Sequence, residues 1–233
     1  MQIVILTGAG VSAESGLGTF RDQGGIWTRY RVEDVATPEG FARNPALVHA
    51  FYNTRRASLR DAEPNAAHHA LAELEQRHAG QCLVVTQNVD DLHTRAGSRN
   101  VLHMHGELQK ACCASCGHRW RAADQMHADD ACPACGALAC RPDVVWFGED
   151  VRSMDRILDC VAQADLFVLI GTSATVYPAA GLMQLARDQG AQTLELNLEA
   201  SAAASVADRL LLGPATEVVP RWVAEWCRTN GLE

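Results

Sequence analysis

Long apolar runs are missing from this 233-residue chain. The hydrophobic stretch at 166–170, among its longest, falls far short of the ~20 residues that a membrane-spanning helix needs. Met1 leads straight into Ile3-Val4-Ile5-Leu6, with neither a basic leader nor a small-residue cleavage site. An unexported, cytoplasmic protein without membrane attachment is therefore expected. Positive charge is also short: 20 Lys and Arg stand against 28 Asp and Glu, a formal net charge of −8. That balance argues against broad electrostatic binding to nucleic acid. Internal repeats, low-complexity tracts and flexible linkers are lacking too. With 48% hydrophobic and 21% charged residues, the composition is globular and excludes a disordered or fibrous chain. The length suffices for one sizeable core and a smaller module.

What the chain has in excess is cysteine, nine in all. Cys112, Cys113, Cys116, Cys132, Cys135 and Cys140 crowd together, whereas Cys82, Cys160 and Cys227 stand alone. An odd number in a clustered pattern favours metal over a disulfide framework. Cys113-x-x-Cys116 and Cys132-x-x-Cys135 are fifteen residues apart, a zinc-ribbon spacing, and each pair is followed by glycine, Gly117 and Gly136. Four thiolates fill a tetrahedral sphere, so one structural Zn2+ is expected, with no open position for chemistry. A one-residue slip that exchanges Cys112 for Cys113 stays open.

Short apolar runs at 2–7, 82–86, 101–104, 166–170 and 193–196 alternate with helical patterns at 65–78, 90–96, 154–164, 178–188 and 217–228. The alternation predicts an α/β fold: a Rossmann-like parallel sheet with helices on both faces. Residues 25–64 and 107–140 interrupt it. The first carries a helix signalled by Asn44 as N-cap and Pro45 at the first helical position. The second has almost no large aliphatic residues and cannot build its own core. Both are read as insertions that form a small zinc-ribbon and helical domain, leaving 1–24, 65–106 and 141–233 as the nucleotide-binding domain.

Gly8-Ala-Gly10-Val-Ser-Ala13 follows the first strand and fits G-x-G-x-x-A, a pattern that lets backbone approach a pyrophosphate at the start of a helix-compatible segment. Glu33 and Asp34 sit near the distance of a ribose-binding acid, yet no apolar strand precedes them. Thr86-Gln-Asn-Val-Asp90 begins where the 82–86 strand ends, the position for ligands in parallel sheets; Asn88 or Asp90 could equally cap the next helix. His103-Met-His105-Gly106 ends the next strand, and its imidazoles are natural bases at neutral pH.

Taken in order, Gly8-Ala-Gly-Val-Ser-Ala-Glu-Ser-Gly16, Thr19-Phe-Arg21, Thr86-Gln-Asn-Val-Asp90, His105-Gly106, the two cysteine pairs, Val144-Val-Trp-Phe-Gly-Glu149, Gly171-Thr-Ser173 and Asn197-Leu-Glu199 resemble the sirtuins. The resemblance spans residues 3 to about 226. It implies NAD-dependent removal of acyl groups from protein lysines, with nicotinamide, free lysine and O-acyl-ADP-ribose as products. It implies an NAD site from Gly8, Ala9, Gly10, Ala13, Glu14, Phe20, Arg21 and Trp27. Gln87, Asn88 and Asp90 belong to the nicotinamide pocket in this scheme, and Gly171, Thr172, Ser173, Asn197, Leu198, Glu199 and Ala215 to the adenosine half. His105 matches the general base. Val144, Val145, Trp146, Phe147 and Gly148 match the strand that pairs with an extended acyl-lysine peptide. The implied partners are acyl-lysine proteins, and a monomer is expected.

Gly18 stands where the family commonly has proline, which widens the backbone freedom of the loop. Thr19, together with Tyr52-x-x-Arg55, resembles the subgroup that removes succinyl and malonyl groups. Tyr52 and Arg55 share a helix face with Leu59, while Arg56 points elsewhere. A guanidinium beside a phenol can bind a distal carboxylate, and small Ala36 leaves room for it. The competing readings are an NAD dehydrogenase, disfavoured by the missing second strand and acid, and a zinc-ribbon nucleic-acid module, disfavoured by the negative charge.

Overall fold

The computed structural model describes residues 1–19 and 29–232. Six strands form one parallel sheet in the order β3-β2-β1-β7-β8-β9. They are β1 (Gln2–Thr7), β2 (Gln81–Thr86), β3 (Val101–His103), β7 (Leu166–Ile170), β8 (Gln192–Asn197) and β9 (Arg209–Leu212). Because both faces are covered, the central strands read as continuous apolar runs. Alternation then sorts their side chains. Ile3, Ile5, Val84 and Val168 face α4 (Ala66–Arg77) and α8 (Ala215–Thr229), burying Leu71, Leu74, Val219 and Trp222. Val4, Leu6, Val85 and Phe167 face α6 (Met154–Ala162) and α7 (Leu182–Asp188), burying Ile157, Val161 and Met183.

The sheet and its covering helices match the expected alternation. β9 has no counterpart in it, since a four-residue edge strand exposing Arg209, Leu210 and Leu212 leaves no pattern to read. After β1 come α1 (Val32–Val35), α2 (Pro38–Arg43) and α3 (Pro45–Asp61). Asn44 caps α3 as its sequence signals, accepting the Leu47 amide on its side chain at 3.0 Å. A short helix α5 (Leu92–Arg95) follows β2.

A second, antiparallel sheet has the order β5-β4-β6, from β4 (Gly106–Cys113), β5 (Arg119–Arg121) and β6 (Cys140–Val144). The Asn53 side chain on α3 ties the two insertions together: it donates to the Met126 carbonyl and accepts the Met126 amide, both at 3.0 Å. Val35, Phe51, Tyr52, Leu92, Leu108, Val144 and Trp146 form the core beneath. Among the described residues no helix is long and apolar enough to cross a membrane.

Candidate active site

The strand order turns at β1, whose neighbours β2 and β7 extend the sheet in opposite directions, so a crevice opens at their carboxyl ends. Four loops and His105 converge there. The first two loops touch directly: the Gly8 amide donates to the Ile170 carbonyl at 3.0 Å and the Gly10 amide to the Gly171 carbonyl at 2.7 Å. A Cβ on Gly10 would lie 2.8 Å from the Gly171 Cα, and one on Gly8 2.6 Å from the Thr172 Cβ. Glycine at both positions is thus required by the neighbouring loop, before any ligand is considered. We expect Gly10→Ala to cost about 1–3 kcal/mol through overpacking. Thermal unfolding with and without NAD checks this, and an unchanged midpoint would show that the loops part freely.

The helix-compatible segment expected after Ala13 is instead two 3-10 turns, Ala9–Val11 and Ala13–Ser15, ended by Gly16 at a φ of +83°. Glu14 turns away to the start of α8, where its carboxylate accepts the Thr216 amide at 3.0 Å and the Thr216 hydroxyl at 2.7 Å. Ala215 begins that helix. Phe20, Arg21 and Trp27 lie outside the described residues.

Ser12, a residue the motif reading passed over, organises the floor of the crevice. Its hydroxyl donates to the Asp90 carboxylate at 3.0 Å and accepts from the Asn88 amide nitrogen at 3.0 Å. His68 lies 3.3 Å away through Nε2. Because His68 Nδ1 accepts the Asn65 amide, as part of the capping box of α4, its Nε2 must carry the proton and donate to Ser12. Burial pushes the His68 pKa down to about 4, which keeps the ring neutral, and burial pushes the Asp90 carboxyl up. The Asn65-x-x-His68 spacing was the available signal for this contact. Thr86 caps the Asn88 amide with its hydroxyl at 3.0 Å. The side chains of Asn88 and Asp90 form a fixed amide-and-carboxyl pair suited to a planar carboxamide.

Gln87 and Asn197 meet at Thr172. The Gln87 amide donates to the Thr172 hydroxyl at 3.0 Å and the Asn197 amide to the Thr172 carbonyl at 2.7 Å. Ser173 pairs with the Thr175 hydroxyl at 2.8 Å, while Leu198 and Glu199 are exposed at the rim. The loops assigned to the two halves of NAD therefore form one surface.

His105, half-buried, follows β3 at the opposite wall. Its Nδ1 is 3.0 Å from the Gln87 carbonyl, an acceptor only, so Nδ1 carries the proton and the Nε2 lone pair is left to accept one. Burial lowers its pKa below the ordinary 6.5, and the bond to Gln87 opposes this only in part. A neutral imidazole held in one tautomer can act as a base at physiological pH.

Ala36, Tyr52 and Trp146 are buried together on the far side. The Arg55 guanidinium lies 5.5 Å from the Tyr52 ring centroid and 5.8 Å from that of Phe51. Arg56 points away, as expected, to Asn53 and the Leu108 carbonyl. Tyr52 and Arg55 thus share one face, which the helical spacing predicts.

The 144–148 segment departs from the strand the sequence implies. Val144 ends β6, and the residues after it turn. The backbone donors are already engaged: Val145 to the His105 carbonyl at 2.8 Å, Phe147 to the Ala36 carbonyl at 3.0 Å, and Trp146 to Glu149 at 2.8 Å. Glu149, bound to Arg141 at 2.6 and 2.9 Å, closes this turn. Phe147 and Gly148 are exposed.

In the small sheet, the sulfurs of Cys113, Cys116, Cys132 and Cys135 all lie within 4.8 Å of one another. Cys113 and Cys135 are 3.7 Å apart, Cys116 and Cys132 3.8 Å. Zinc–sulfur bonds of about 2.3 Å in a tetrahedron place sulfurs about 3.8 Å apart, so the set fits zinc. The knuckles are built alike: the Cys113 amide donates to the His118 carbonyl and the Cys132 amide to the Ala137 carbonyl, both at 2.9 Å. Gly117 and Gly136 adopt φ of +73° and +74°, where a side chain would be strained. Cys112 is outside the cluster, its sulfur turned to the Pro142 carbonyl, which closes the question of a slip.

A model described as the Sir2 family matches residues 8–178. The chain is 57% identical over 227 residues to a Caulobacter vibrioides protein named NAD-dependent protein deacylase, covering 96% of this chain and 95% of that one. It is 52% identical to the Trypanosoma brucei brucei NAD-dependent protein deacylase SIR2rp3, covering 98% and 96%. Among solved structures, a Sir2 homolog–NAD complex superposes with a TM-score of 0.91 at 42% identity, covering 98% of this chain and 90% of that one. Sir2Af2 bound to a myristoylated histone peptide gives 0.75 at 34% identity, covering 100% and 93%.

Proposed function

The chain belongs to the Sir2 family and is an NAD-dependent protein deacylase, and on that premise we propose that it removes chiefly succinyl and malonyl groups from lysine, with acetyl as a further substrate. The observation that carries the acyl preference is the Arg55 guanidinium set against the Tyr52 ring beside small, buried Ala36. A carboxylate reaching this wall gains charge-assisted hydrogen bonds; an acetyl methyl gains none.

NAD supplies the electrophilic ribose carbon. Asn88 and Asp90, braced by Ser12, hold the nicotinamide carboxamide, and the loops at Gly8 to Glu14, Gly171 to Ser173 and Asn197 to Glu199 hold the rest, with Ala215 near the adenine. The amide oxygen of the acyl-lysine would bond to the ribose carbon as nicotinamide leaves; His105 would accept the proton of the ribose hydroxyl that then attacks the acyl carbon, and water would release free lysine and O-acyl-ADP-ribose. The peptide lies against 144–148, where Phe147 and Gly148 are exposed. The likeness to Sir2Af2, solved with an acylated histone peptide, supports this substrate class. The cysteine cluster holds zinc as a brace only. The same proposal includes the division into 1–24, 65–106 and 141–233 against 25–64 and 107–140, a monomer without affinity for nucleic acid, and a cytoplasmic location. Nine unpaired cysteines suit a reducing compartment.

The test compares succinyl-lysine and acetyl-lysine peptides on the wild type and Arg55→Met. Hydrogen bonds to charged groups contribute about 1.5–3 kcal/mol, so kcat/KM for the succinyl peptide should fall roughly 10–100-fold further than for acetyl. Equal losses for both peptides would leave Arg55 with no part in reading the carboxylate.

A further inference from the structure

Trp146 sits 94 positions from Tyr52 in sequence, and its indole Nε1–H donates to the Tyr52 hydroxyl oxygen at 2.9 Å. Both residues are 2% exposed. The Arg55 guanidinium lies beside the same phenol, 5.5 Å from its ring centroid. Indole and guanidinium nitrogens can only donate, whereas a phenol offers two acceptor sites and one proton. The indole takes one acceptor site, and neither it nor the Arg55 guanidinium can accept the Tyr52 proton. Among the described residues no other acceptor receives it, so that proton is left to serve the pocket. A polar proton in so buried a setting needs a partner.

We propose that Trp146 is a specificity-determining positioning residue, which by donating to Tyr52 fixes that hydroxyl as a donor and so completes, with Arg55, a donor-only wall for the distal carboxylate of an acidic acyl group. The proposal rests on the acyl preference given above. The indole is held for the task from two directions. The Arg141 guanidinium lies 3.5 Å from its ring centroid, and Glu149, bidentate to Arg141, accepts the Trp146 backbone amide. Against the opposing push of partial burial, the Arg141 bonds hold the Glu149 carboxyl below its ordinary range, so the clamp stays ionised at neutral pH. Phe41 packs on the indole with centroids 5.2 Å apart. Were Tyr52 free to donate elsewhere, its oxygen would face the pocket as an acceptor and repel a carboxylate.

A double-mutant cycle tests the assignment, with succinyl-lysine and acetyl-lysine peptides as substrates. Trp146→Phe keeps an aromatic ring but removes the donor. It should lower the succinyl-to-acetyl ratio of kcat/KM about tenfold, through a raised KM for the succinyl peptide. In a Tyr52→Phe background the same change should move the ratio less than about twofold, because the two residues act as one. Loss of both activities in parallel, or the full effect in the Tyr52→Phe background, would overturn the proposal. Should Trp146→Phe fail to fold, Glu149→Gln loosens the clamp and takes its place in the cycle with the same expected sign. Arg55→Met separates the two failures. A selective succinyl loss there with a flat Trp146 result sinks only the role of Trp146; equal losses sink the acyl preference, and the role of Trp146 with it.

Discussion

Removing the metal with a strong chelator should release one zinc per chain and take deacylation down by more than about 100-fold. The module that holds the four cysteines has little else to hold it. Its buried apolar cluster is Ala111, Cys113, Met126, Cys132 and Cys140, of which three are cysteines, with only Trp120, Ala122 and Ala139 half-buried against it. At roughly 25 cal/mol per Å2 of apolar surface, so few side chains contribute only a few kcal/mol, against the ~10–16 kcal/mol that zinc binding supplies in small Cys-ligated modules. The loss should reach the crevice although four thiolates leave the metal no open position. β4 begins directly after His105, β6 leads into Trp146, and Asn53 on α3 is bonded to Met126, so a molten module releases the base, the acyl wall and Arg55 together. Cys135→Ser should behave like chelation, and Cys112→Ser should leave the metal in place, since its sulfur faces Pro142. Metal analysis alongside product assays decides the matter. Full activity in zinc-free protein would show that the fold stands without its brace.

His105→Ala should lower formation of O-acyl-ADP-ribose and free lysine by roughly 10²–10⁴-fold, the ordinary contribution of a positioned base. Exchange of labelled nicotinamide should survive, because departure of nicotinamide precedes the step that needs a proton removed. The wild-type pH profile carries the same assignment with a definite sign. The active form is the neutral ring, and burial places its pKa below 6.5. kcat/KM should therefore rise with pH through an apparent pKa below 6.5 and be flat above neutrality, and that rise should vanish in His105→Ala. If nicotinamide exchange and product formation fall together, His105 acts before the acyl transfer and the proposed role is wrong.

The parts of this protein that could be read along the chain share one property: their determinants are local. β1, β2 and β7 are buried on both sides, so they appear as apolar runs, and the capped helix α3 announces itself at Asn44-Pro45. The zinc knuckles are two residue pairs with fixed spacing and a glycine after each. β9 escaped because an exposed four-residue edge has no periodicity to detect, and the helix expected after Ala13 gave way to two 3-10 turns.

The sheet, the metal ligand types and most of the residues brought to the crevice are legible along the chain, because hydrophobic period and ligand spacing act over a few residues. The remainder depends on the closed fold. The pleat of β4 sends Cys113 to the metal and Cys112 to the Pro142 carbonyl, since neighbours on a strand face opposite ways. The packing of one loop on another made Gly10 obligatory. Ser12 gained its meaning from His68, Asn88 and Asp90, and Tyr52 its hydrogen-bond polarity from Trp146, residues distant along the chain. A hydrogen bond is set by the placement of two groups within about 3 Å, and for groups so far apart in sequence only the closed fold fixes that distance.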